Sequence, residues 1–439
     1  MPEDRPRATA RDGARSAATV GAGLILLAIS ASVFLVVAAR ATGPEQFAGL
    51  AVLWTLVYTV GIGLFLPFEQ EVARAVADRA TRGEGARPVV TRAAVAAGGL
   101  FVVGTAILAP LSPWMVDTLF DGSWTLALAL LLASLGLAAQ YLQRGALSGS
   151  GLFGSYATQL GVEGVLRLTG CIALLAIGVG VPGPYALLLA AAPLLSVVAV
   201  ARPFARVSLV PGPAASWREL SSNLGWLLAA SLAAQGLANL ATVAVKLLAD
   251  AGETAAAGHF LAGFTVARLP LLVFAAVQAV LLPSLTRNLA EGAHGRFHRQ
   301  LRLVLWVTAA LGLVGVAGSF ALGPEVLRLL FGPEFDIQRL DLAALSLGTA
   351  IYMLALVLQP AVIALDRHRV NAMAWVAGLG VFVACLAIPL GTFARVEVAL
   401  VLGSLTVVGA LAAPVLRHLA ELDDVSPDPD LAASRIGLE

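Results

Sequence analysis

Charge is scarce in this sequence. Asp, Glu, Lys and Arg make up 13% of its 439 residues and hydrophobic residues 59%, where a soluble domain carries roughly a quarter charged. That excludes a water-soluble globular protein, because no soluble core could hold so much apolar sequence. Strand-like alternation of polar and apolar residues is missing, which excludes a membrane β-barrel. No interval between apolar segments is long enough for a soluble catalytic domain. The two cysteines, Cys171 and Cys385, lie inside apolar segments, read as small packing residues and report no redox compartment. The five histidines fall in loops or near helix ends without metal-ligand spacing. No Gly-Lys-Ser/Thr element is present, which argues against a phosphate-cradling loop and direct ATP coupling. Lysine occurs once, as Lys246; the other basic residues are arginines.

What the chain does have is apolar length. A spanning helix needs roughly 20 mostly apolar residues. Candidates in the first half are Ala17–Ala39, Ala48–Phe68, Ala93–Trp114, Trp124–Gln143, Tyr156–Val179 and Pro184–Val200. In the second half they are Asn223–Ala249, Gly258–Leu282, Leu301–Leu322, Leu340–Leu365, Val370–Leu390 and Val396–Leu416. In lipid the helix is the remaining way to satisfy the backbone. The fold class is therefore all-α: a polytopic membrane protein of about 12 transmembrane helices. The first segment is too long for a signal-peptide core and reads as retained.

The arginines orient these spans. With the N-terminus placed in the cytoplasm, 21 Lys and Arg fall on that side, 5 on the other, and Arg167 and Arg268 inside helices. This strong positive-inside bias puts both termini in the cytoplasm and the protein in the cytoplasmic membrane. Residues 1–16 and 417–439 read as disordered cytoplasmic tails.

The chain repeats itself weakly. Leu119-Phe120-Asp121-Gly122 returns as Leu330-Phe331-Gly332-Pro333, Ala146-Leu147 as Ala364-Leu365, Gln140 as Gln359 and Gly43 as Gly252. The offsets cluster near half the length. Two six-helix, pseudo-symmetric lobes follow, 17–200 and 221–416, joined by a Pro/Arg-rich cytoplasmic linker at 201–220. Six spans per lobe is an even number, so the lobes are parallel repeats related by an axis along the membrane normal, an architecture for alternating access.

The segment Ala39-Arg40-Ala41-Thr42-Gly43-Pro44-Glu45-Gln46-Phe47-Ala48-Gly49-Leu50 resembles the first outer loop of polysaccharide flippases. These belong to the multidrug, oligosaccharidyl-lipid and polysaccharide exporter superfamily. The second half resembles them through Leu330-Phe331-Gly332-Pro333-Glu334-Phe335 and Ala364-Leu365-Asp366-Arg367-His368-Arg369. Thr42 stands where the family usually has leucine. The resemblance implies a V-shaped two-lobe bundle that moves lipid-linked sugars from the inner to the outer leaflet.

Charges inside membrane segments are costly and rare, so each is a functional candidate. Arg167 is near the middle of the fifth candidate span, with Glu163 four residues earlier on the same face. The pair either stabilises the first lobe as an ion pair or holds Arg167 toward a cavity. Arg268 lies near the middle of the eighth span. Its helical neighbours Phe264, Thr265, Leu271 and Leu272 include no acid, and Pro270 predicts a loosened or kinked helix beside it. A guanidinium there can grip phosphate oxygens bidentately. Lys246, near the outer end of the seventh span, is a snorkelling lysine or a substrate contact. Gln235 and Asn239 share a helical face and bond either sugar hydroxyls or neighbouring helices; Gln278 is a weaker candidate. Glu69-Gln70-Glu71 with Arg74 reads as a solvated helix end or a gate latch. Gly312, Gly315 and Gly318 mark close helix contact.

Substrate-binding candidates are thus Arg268, Arg167, Lys246, Gln235 and Asn239, with Glu163 and Pro270 as orienting residues. The function that follows is an alternating-access transporter, not an enzyme, that flips or exports an anionic lipid-linked oligosaccharide. The alternatives are a drug/cation antiporter of the same superfamily and, from another class, a membrane-embedded glycosyltransferase or ligase. No cofactor is expected, with H⁺ or Na⁺ coupling open. Expected partners are the lipid-linked saccharide, membrane lipids, and a polymerase or glycosyltransferases of a polysaccharide pathway, but no nucleic acid. A monomer is plausible.

Overall fold

Backbone that crosses lipid must satisfy its own hydrogen bonds, and a helix does so within one segment. The computed structural model describes residues 10–425 except 222–223, 251, 272–273, 275–280, 282–283, 286, 289–290 and 292. Every regular element among them is a helix. In chain order these are α1 (Ala10–Thr81), α2 (Arg87–Leu119), α3 (Trp124–Gly149), α4 (Phe153–Ala176), α5 (Pro182–Ala199), α6 (Ala201–Ser208) and α7 (Trp217–Ser221). Then follow α8 (Leu224–Asn239), α9 (Ala241–Leu248), α10 (Ala256–Ala267), α11 (His294–Phe331), α12 (Arg339–Ala364), α13 (His368–Cys385) and α14 (Thr392–Val425).

Among the described residues nine helices are long and apolar enough to cross a membrane, or ten if α8 and α9 form one span bent by 53°. One of the nine is α1. Its 72 residues would run on the order of 100 Å, about three times the hydrocarbon core, and it carries two of the expected spans. They are divided at Gly43, whose φ of 73° and ψ of 166° interrupt the helix. Pro44 disfavours helical backbone at the residue before it. Glycine accepts the positive φ without penalty, and proline is pre-set to start the next helix.

The helices outrun the apolar segments that announced them. α1 continues past Phe68 to Thr81, and α2 begins at Arg87. Arg79 and Arg92, outside the expected spans, are therefore helical. The terminal segments expected as tails are also helical in part, from Ala10 and up to Val425.

The chain forms two compact units, 1–262 with 327–336, and 263–326 with 337–439. In the first, α1 packs along α3, α4 and α8; in the second, α12 and α13 pack on α14. The helices that follow the repeated sequence segments share a local pattern. α3 and α12 have 26 residues each. Each is preceded by a turn with positive φ, at Asp121-Gly122 and at Gly332. Each is followed by another, at Gly151 and at Asp366.

Close approach of α1 and α3 depends on Gly145. A Cβ there would lie 2.7 Å from the Glu69 carbonyl oxygen and 2.9 Å from Val72 Cβ. Gly145→Ala is therefore expected to cost about 1–3 kcal/mol by overpacking. Gly161→Ala on α4, where a Cβ meets nothing within 4 Å, should leave the melting temperature unchanged or raise it. Thermal unfolding of the two variants in detergent compares them directly. Gly312 and Gly315 on α11 do mark close contacts, with Ala350 and with the Pro270 ring, whereas Gly318 faces open space.

Candidate functional site

The buried face of α4 runs through Ala157, Gln159, Leu160, Glu163, Gly164, Arg167 and Cys171, a three-four spacing that stacks polar side chains on one stripe. α3 presents Gln140, Gln143 and Arg144 to it, α1 presents Trp54 and Tyr58, and α5 presents Ser196. Glu163 is the hub. Its Oε1 accepts from Arg167 Nη2 at 2.5 Å. Its Oε2 accepts from Arg144 Nη2 at 2.9 Å and from Gln140 Nε2 at 2.7 Å. Gln140 also donates to Ser196 Oγ at 2.8 Å. Arg167 Nη1 donates to the Tyr58 hydroxyl at 3.1 Å, and its guanidinium stands 5.9 Å from the Trp54 ring centre. Gln159 donates to Gln143 at 2.8 Å. All of these charged and amide side chains on α3 and α4 are more than nine-tenths buried.

The expected Glu163–Arg167 pair is present, and sequence reasoning missed its third member. Arg144 belongs to the buried stretch of α3, not to a loop. The missed signal was local: Gln140, Gln143 and Arg144 sit at i, i+3 and i+4, three polar side chains on one face of an otherwise apolar helix.

Beside the cluster lies a cavity of ≈ 210 Å³, lined by Tyr58, Gln140, Tyr141, Arg144, Glu163 and Arg167 among apolar side chains. The charged groups on its wall are two guanidiniums and one carboxylate. A further carboxylate, Glu69, is taken by the Tyr156 hydroxyl at 2.8 Å. Hydrogen-bonding capacity is left over: Nε of Arg144, Nε of Arg167 and Oε1 of Gln140 are buried without a partner. Such atoms are costly unless water or a ligand reaches them. A cationic wall with spare N–H donors suits an anion.

In the second unit α10 ends at Ala267 and Arg268 forms a turn before helix resumes. Pro270 explains the break, since it has no N–H to donate to the Val266 carbonyl. The Arg268 guanidinium carbon stands over the Phe264 ring, 3.8 Å from its centre. Tyr352 is buried nearby and meets Trp375 edge-on at 5.4 Å. Sequence reasoning also missed Glu397. It is 6% exposed on α14, and its Oε1 is buried without a partner.

The remaining candidates sit elsewhere. Lys246 donates to Asp121 at 2.6 Å, joining α9 to the turn before α3. Asn239 donates to Gln235 at 3.0 Å, so the two satisfy part of each other. Gln278 lies outside the described residues. Glu71 and Arg74 pair at 2.8 Å. Two of the three motif segments that carry the family resemblance pack together in the first unit. Arg40 donates to the Leu330 carbonyl at 2.6 Å and to that of Leu329, and Phe47 meets Phe335 edge-on at 6.0 Å.

Solved structures share this arrangement of helices. An inward-facing multidrug resistance MATE family transporter of the MOP superfamily aligns with a TM-score of 0.64 at 15% identity, over 91% of this chain and 98% of that one. The Vibrio cholerae MATE transporter VcmN in its bent form aligns at 0.59 and 17% identity, over 92% and 98%. The fold is thus that of the MATE transporters, a multi-pass membrane protein built from helices alone among its described residues. By sequence the chain is similar to an uncharacterized protein of Mycobacterium tuberculosis, 26% identical over 399 residues and 88% of each chain. An uncharacterized protein of Mycobacterium bovis is 24% identical over 411 residues, 90% of each chain. No known protein-family profile matches.

Proposed function

We propose that this chain is an alternating-access transporter that flips or exports an anionic, lipid-linked saccharide across the cytoplasmic membrane. The observation that carries the reading is the membrane-buried cavity with Arg144 and Arg167 on its wall against the single carboxylate of Glu163. Phosphate or pyrophosphate on an isoprenoid carrier supplies the matching charge, and unused guanidinium N–H groups supply donors for it. The shared fold with transporters supports movement rather than chemistry, by analogy of fold.

A second reading is a drug or cation antiporter coupled to protons. The solved neighbours that are multidrug transporters favour it, and so does Glu397, a buried carboxylate with an unpartnered oxygen. Proteoliposomes containing the purified chain separate the two. A polyprenyl-pyrophosphate disaccharide with a dithionite-quenchable fluorophore should cross leaflets faster than in empty vesicles. Ethidium driven by a pH or Na⁺ gradient should not be accumulated. Dye movement without lipid movement would replace the first reading by the second.

A further inference from the structure

One end of the first unit carries cations that the protein leaves uncompensated. The short helix α6 divides its faces: Phe204 and Val207 pack on a core of Val72, Val76, Val89 and Val90, while Arg202 and Arg206, one turn apart, are exposed. The chain then turns back along α2. The Arg87 N–H donates to the Val210 carbonyl at 3.0 Å, and Arg92 sits 5.4 Å over the Trp217 ring. Leu209, Val210 and Trp217, along this same stretch, are about half exposed or more.

The acids of this region are already engaged. Glu71 and Asp78 pair with Arg74, and Glu84 pairs with Arg82. Glu219 pairs at 2.9 Å with Arg79, a buried arginine that also donates to the carbonyls of Gly85 and Pro213 and so fixes the segment carrying Trp217. Among the described residues no acid lies within ion-pair distance of Arg87, Arg202 or Arg206. Three free guanidiniums beside an exposed tryptophan and two exposed aliphatic side chains form a mixed surface. Water does not suit the apolar part, and hydrocarbon does not suit the charged part. The boundary of a bilayer suits both, with tryptophan at the headgroup level and guanidinium on phosphate oxygens.

We propose that α6, the start of α2 and the segment from Leu209 to Trp217 form a binding platform for the phosphate headgroups of anionic phospholipids. Arg87, Arg202 and Arg206 are the headgroup ligands, and Leu209, Val210 and Trp217 insert among the upper acyl carbons. The platform is independent of what the protein transports.

The test uses the full chain, equilibrated with vesicles of equal phosphatidylglycerol and phosphatidylcholine, extracted, and analysed for retained lipid by native mass spectrometry. The native chain should retain phosphatidylglycerol in preference. The triple variant Arg87→Gln, Arg202→Gln, Arg206→Gln should lower that preference at least about tenfold. The variant Arg287→Gln, Arg299→Gln, Arg302→Gln makes the same change in net charge elsewhere and should keep it. None of the three platform side chains makes a hydrogen bond within the protein among the described residues, so the first variant should elute as the native chain does. No preference in the native chain, equal loss in the two variants, or displacement of the lipid by excess inorganic phosphate would each overturn the proposal. The first and third outcomes need no variant.

Discussion

Replacing Glu163 with glutamine is expected to remove most of the folded protein from a detergent extract. The substitution keeps shape and volume, so packing is not the cause. The cause is charge. Glu163 accepts from Arg144, Arg167 and Gln140 within a buried cluster, and its neutral replacement leaves two guanidiniums with no counter-charge among the side chains they bond. Removing one partner of a buried ion pair costs about 3–5 kcal/mol, a large share of a total stability of about 5–15 kcal/mol. The further change Arg167→Gln should restore part of the folded yield by removing one orphaned cation. Size-exclusion profiles after heating would read the single and double variants. Additive losses, with the double variant worse than either single one, would mean that the pair shares no coupling energy. Asp121→Asn is the contrast: that side chain is 51% exposed while Lys246 is 10% exposed, so water reaches the carboxylate and the loss should be smaller than for Glu163→Gln.

Much of this arrangement is legible in sequence because lipid is an undemanding solvent to read. Apolar length alone located the spans, and an i, i+4 spacing located Glu163 and Arg167 as partners. Pro270 located the break beside Arg268. Arg144 was hidden by a rule about length. It lies at the end of an apolar run, where a span of 20 residues would already have ended, yet α3 continues to Gly149 and carries it inside. Arg79 was hidden the same way, because α1 keeps its helix through a charged stretch. A span count measures the apolar window, and hydrogen bonding sets where the helix stops. The binding partners of Lys246 were also out of reach. Asp121 is 125 residues away, in a turn whose positive φ places it, and no local pattern joins the two.

Arg268→Ala is expected to abolish translocation while membrane insertion and the elution profile stay near native. Position argues for this. The sequence places Arg268 near the middle of the eighth candidate span, where an arginine costs at least about 2.5 kcal/mol on insertion scales, so the alanine variant should insert no worse. The guanidinium carbon stands 3.8 Å from the Phe264 ring centre, within cation–π range. The turn at Arg268 replaces helix with backbone that Pro270 cannot close. A planar fork at a helix break is suited to phosphate oxygens, and we propose that role for Arg268. Arg268→Lys then separates charge from geometry: lysine keeps the positive charge but loses the planar fork. Transport by the lysine variant should fall between native and alanine, with the lipid-linked disaccharide as probe. A lysine variant as active as the native chain would reduce the role to charge alone. An alanine variant that loses folded protein in step with activity would make Arg268 a structural residue and leave substrate recognition to Arg144 and Arg167.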